Sequence, residues 1–128
     1  MMDDELVGWL LAFPGIEAEI GDRLSPAPLP QGETLPAVTY TDISNRPAYT
    51  NEGESGHSKS RYQIDIWART KIDAARIAET VRCLISGYRG QIGKHSIGGV
   101  MRQNTFSDYE PDTQLWRVTA DYIFLIEV

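Results

Sequence analysis

From Leu115 to Glu127 apolar side chains recur at every second position: Trp116, Val118, Ala120, Tyr122, Phe124 and Ile126, with Arg117, Thr119 and Asp121 between them. A period of two matches the pleat of a strand that turns one face to a core. The stretch from about Lys59 to Arg69 repeats it, with Tyr62, Ile64, Ile66 and Ala68 alternating with Arg61, Gln63, Asp65 and Trp67. Between these two strands the period changes. Ala74, Ile77, Ala78, Val81, Leu84 and Ile85 make a helical stripe over Lys71 to Ile85. Thr70 stands where an N-cap belongs, and Gly87 where a left-handed C-terminal cap belongs.

The rest of the chain fits around this strand–helix–strand frame. Asp3 and Asp4 favour a helix start, and Leu6, Trp9, Leu10 and Phe13 fall on one helical face before Pro14-Gly15 stops it. Ile16 to Leu35 reads as irregular and extended, because Pro26, Pro28 and Pro30 each remove a backbone donor. Ala37 to Ser44 is β-branched and aromatic and reads as a strand. Asn45 to Ser58, with Pro47, Gly53 and Gly56, reads as a long polar loop. A third strand is expected over Ser96 to Phe106, and a turn with Asp108, Pro111 and Asp112 leads to the last one. The expectation is an α+β fold in the order α-β-β-α-β-β, an antiparallel-rich sheet with its helices packed on one face. It takes all 128 residues as one domain, with a flexible loop at 45–58.

The composition argues against several chemistries. The net charge is -6 and the basic residues are scattered, unlike a nucleic-acid binder that gathers Lys and Arg on one face. Cys83 is the single cysteine, so no intrachain disulfide forms, and no ligand spacing for a zinc site is present. A lone thiol suits a reducing compartment. No N-terminal basic segment precedes an apolar run, and no apolar stretch is long enough for a bilayer, so neither a signal peptide nor a membrane span is expected. His57 lies in the polar loop and His95 before the third strand, without the spacing of a nucleophile elbow. Cys83 lies beside the apolar stripe and reads as a buried or half-buried structural thiol. Asp65 and Asp121 sit mid-strand on the polar faces among Arg61, Gln63, Arg117 and Thr119, as on a solvated or subunit-facing sheet surface. Gly98-Gly99 lacks the spacing of a phosphate loop and fits a bulge or a close backbone approach. No catalytic, metal or cofactor residue is assigned.

One pattern points outward. The polar faces of the second and last strands turn apolar at Trp67, Ile123 and Leu125, which fits either cover by a helix or the chain termini or a subunit interface. With these go Arg46, Tyr49, Asn51, Glu52, Glu54 and His57 of the 45–58 segment as candidate subunit contacts. A small-molecule-binding α+β module without catalysis is the alternative reading, and it requires a concave pocket with convergent polar groups.

The wording of the chain resembles a known family. Gly21-Asp22-Arg23 before the proline-rich stretch, Leu35-Pro36 leading into the first strand, and the Gln63-Asp65-Trp67 strand before an Ala-rich helix are similar to the tail-completion proteins of long-tailed bacteriophages and prophages. That family is also described as head-tail joining or tail-terminator-like, and the likeness runs from Leu6 to Val128. The resemblance implies an α+β structural virion protein that caps the tail tube and joins it to the head connector. It implies a ring of copies, commonly a hexamer, with the major tail tube protein and the connector or stopper protein as partners. It implies no cofactor, no catalysis and no specific nucleic-acid contact, although DNA passes through such a ring. The expected place is the host bacterial cytoplasm during assembly and the head-proximal end of the tail in the virion. The family defines no ligand residues to carry over, so the contacts named above rest on this sequence alone.

Overall fold

The computed structural model describes residues 3–50 and 53–127, with the backbone alone for Tyr49, Thr50, Glu54 and Ser55. The described elements are α1 (Asp3–Leu11), α2 (Pro14–Ile20), β1 (Leu24–Pro26), β2 (Ala37–Thr50), β3 (Gly53–Ala68), α3 (Lys71–Ile85), β4 (Gly90–Ile92), β5 (His95–Glu110) and β6 (Leu115–Glu127). The strands form one sheet in the order β1-β2-β3-β6-β5-β4. β1 pairs with β2 in parallel, and the other pairs are antiparallel. The fold is α+β, as the patterning predicts.

Residues opposite one another across an antiparallel pair share a face. Tyr62 faces Tyr122, Ile64 faces Ala120 and Ile66 faces Val118, so the two alternating strands present one apolar surface. Val38 and Tyr40 of β2 extend it. Leu6 and Leu10 of α1, Ile16 and Ile20 of α2, and Ala74, Ile77, Val81 and Ile85 of α3 close over it in a single core. Aromatic rings tie the layers together. Phe124 packs edge-on against Trp9 of α1 at 5.9 Å and against Tyr62 of β3 at 5.7 Å. Arg76 of α3 reaches Glu19 of α2 at 2.9 Å, and His95 Nε2 lies 3.0 Å from Glu5 Oε2 of α1.

The end signals of α3 hold. The Thr70 hydroxyl accepts from the Asp73 amide at 3.1 Å, and Gly87 adopts a φ of 82° just past the helix. Gly98 is the extra residue where the β5–β6 register shifts between Ile97 and Gly99, a bulge as expected.

Four expectations need correction. The segment from Ile16 is not irregular throughout: Pro14 opens α2, a position where its missing amide costs nothing, and Ile16 and Ile20 are buried one turn apart. Two short strands, β1 and β4, complete the sheet margins. The described residues of Asn45 to Ser58 are not a loop but the far half of two paired strands, in which Asn45 pairs with Ser60, Pro47 with Ser58 and Tyr49 with Glu54. Cys83 is exposed, because it falls off the α3 stripe toward Glu79 and Arg82.

Candidate assembly surface

The sheet face away from the helices divides into two halves. One half carries a hydrogen-bonded cluster of polar side chains beside Trp67. Asp65 is only 3% exposed and accepts from the Thr119 hydroxyl at 2.5 Å and the Gln63 amide at 3.1 Å. The Trp67 indole donates to Thr39 Oγ1 at 3.0 Å, and the Arg117 guanidinium lies over its ring. Arg117 in turn pairs with Asp108 at 2.9 Å. The proline-rich segment 27–36 runs past this face, leaving a groove of about 860 Å³ between itself and Asp65, Trp67 and Arg117. Arg23 holds the segment's end, donating from Nε to the Pro36 carbonyl at 2.8 Å.

Two expectations change here. Asp65 does not stand on a solvated surface: it is buried and accepts from the neighbouring Thr119 and Gln63. Trp67 points to the predicted face yet is only 8% exposed, so it is no open contact residue. Some of the groove's polar groups are bonded to neighbouring side chains, Asp65 to Thr119 and Trp67 to Thr39, while the Arg117 Nε is buried without a hydrogen-bond partner among the described residues. The Trp67 bond has a measurable worth. Trp67→Phe puts a smaller ring in place of the indole and leaves the buried Thr39 hydroxyl without its donor, and should cost about 1–3 kcal/mol in urea unfolding.

The other half of the face is open. Arg61 pairs with Asp121 at 2.5 Å across β3 and β6. Beyond that pair, Ile123 and Leu125 are half-buried, and Leu125 lies across from Lys59. Here the hairpin leaves the sheet. Among the described residues β6 pairs with β3 only from Ser58 onward, while β3 continues to Gly53 in pairing with β2. Arg46, His57 and Leu125 line a cleft of about 360 Å³ at the base of this arm. Three candidate residues therefore meet at one place, and Ile123 lies one face-position back along β6. Tyr49 and Glu54 face each other by backbone register, and Asn51 and Glu52 lie outside the described residues. Burial, followed by the nearby Asp3 charge, pushes the Asp42 carboxyl above its ordinary value.

Among the described residues no group of three or more His, Cys, Asp and Glu side chains is placed to hold a metal ion, and no helix is long and apolar enough to cross a membrane. The sequence features missed by pattern reading are Ile43 and Phe106. Each has polar neighbours on both sides in sequence, Asp42 and Ser44 around Ile43 and Thr105 and Ser107 around Phe106, and the structure leaves them 45% and 51% exposed.

Comparison with known proteins decides the family. The family model described as "Tail completion protein gp17" matches residues 4–127. The chain belongs to that family. A search of curated proteins finds no match. Among solved structures, a chain of the virion of a native gene transfer agent particle superposes with a TM-score of 0.77 at 14% identity, covering 95% of this chain and 92% of that one. At that identity the likeness is one of fold. It spans helices and sheet together, so the architecture described above is shared as a whole.

Proposed function

We propose that this tail completion protein is a structural, non-catalytic subunit that assembles as a ring of copies, in the manner of a hexamer, on the head-proximal end of a phage tail tube and joins it to the head connector. The observation that carries this reading is the family match over residues 4–127, nearly the whole chain. The projecting arm and the open half of the outer face support it, since a joining subunit has to reach both its neighbours and the rings above and below. Its partners in this reading are copies of itself, the major tail tube protein and the connector protein. It is present in the host cytoplasm until assembly and in the virion afterwards. DNA crosses the ring without specific contact, and the net charge of -6 fits a passage to which phosphates do not adhere.

The test is to add gold-labelled protein to purified tail tubes of the phage or prophage that encodes it and to view them by negative-stain electron microscopy. Label confined to one end of each tube is the expected result. Label along the tube wall, or none on tubes, would overturn the assignment.

A further inference from the structure

Two stretches at opposite margins of the sheet have no backbone partner among the described residues. β1 covers β2 only at Val38–Tyr40, and the Ala27 amide adds one bond to the Tyr40 carbonyl. From Thr41 to Pro47 that margin of β2 has no backbone partner among the described residues. β4 covers β5 only at His95–Ile97, and the Gly87 amide adds one bond to the Val100 carbonyl. From Met101 to Glu110 that margin of β5 is open. A strand edge of this length is a template for another strand unless it is blunted.

Three observations make the two edges fit each other. The first is direction. β2, β3, β6 and β5 alternate, so β2 and β5 run oppositely, and a second copy's β2 laid beside β5 continues the antiparallel ladder. The second is offset. Within one copy Asp108 is level with Ala37, through Arg117 and Trp67. The open part of β2 lies toward Pro47 and the open part of β5 toward Asp108, so full overlap slides the second copy along the strands. Asp108 then comes level with Thr41 of the next copy, and Asn104 with its Arg46. A sheet that closes on itself requires such a stagger. The third is apolar exposure. Of the five exposed large hydrophobics among the described residues, Ile43 stands on the β2 edge and Met101, Phe106 and Tyr109 on the β5 edge. In the staggered register Phe106 faces Ser44 of the next copy, directly beside its bulged Ile43.

We infer that copies of this chain join through one continuous sheet, with Thr41–Arg46 of β2 in one copy paired antiparallel to Asn104–Asp108 of β5 in the next, and with Ile43 packed against Phe106. The ladder ends at Pro47, which has no amide to donate. β3 and β6 separate the two edges within a copy, so the contact is head-to-tail and can close into a ring. The inference deepens the ring reading above and rests on it.

The test uses Cys83→Ser as background. Asn45→Cys and Thr105→Cys face each other in this register, and mild oxidation of the double variant at high protein concentration, alone and with tail tubes, should give a covalent ladder ending at one closed size. Either single cysteine variant should stay monomeric on a non-reducing gel. Ile43→Asp and Phe106→Asp, both at exposed positions, should abolish the ladder while leaving circular dichroism and Tm unchanged. Dimers from Thr105→Cys alone would mean β5 pairs with itself, and would overturn the inference. Rings seen in the microscope without a cross-link would overturn it while leaving the ring assignment standing. No ring and no cross-link, in solution or on tubes, would overturn both.

Discussion

Phe124→Ala should destabilise the fold by about 3–5 kcal/mol, the range for truncating a large buried aromatic. Phe124 has no exposed surface, and its ring is held by Trp9 of α1 and Tyr62 of β3 while its own backbone lies in β6, at the middle of the sheet. Its walls therefore come from three separate elements. None of them can move in to fill the space without losing its other contacts, which is the condition under which a cavity costs most. Small domains hold only about 5–15 kcal/mol in total, so this one substitution consumes a large part of that stability. The measurement is the urea midpoint at constant m-value. A loss below about 1 kcal/mol would show that helices and sheet do not share the single core described above.

The frame of the fold was legible where one face is buried and the other is not. Tyr62 to Ala68 and Trp116 to Ile126 alternate because α3 covers one side of them, and the α3 stripe and its caps are read from the same logic. Legibility fails where that asymmetry fails. No described residue of the arm joins the buried core, so its sequence needs no period of two, and Pro47, Gly53 and Gly56 then resemble loop punctuation. The far half of β5 is exposed on both faces from Met101 to Tyr109 for the same reason. Trp67 shows the opposite failure. Its face is the predicted one, but Thr39 and Arg117, distant in sequence, pack against it there. The candidate surface was legible in part: Arg46, His57 and Leu125 converge at the base of the arm, whereas the sheet edges carrying Ile43 and Phe106 become visible only once the strand order is known.

The largest functional effect is expected from shortening the arm. Replacing residues 48–57 by Asn-Gly joins Pro47 to Ser58 through a two-residue turn suited to a hairpin. The pairings of Ser58 with Ile126 and of Lys59 with Leu125 remain, and the buried core contains no residue from the excised segment. Tm should therefore change little. A two-stranded ribbon is marginal in water by itself, so the chain maintains in this arm an element that contributes little to its own core. Such an element is explained if its partner surface belongs to another subunit. Tails assembled with the shortened protein should then fail to join heads, and infectious titre should fall by orders of magnitude while the purified protein stays folded. Normal titre with the arm removed would show that the contacts of the joint lie elsewhere on the chain, and would direct attention to the sheet edges alone.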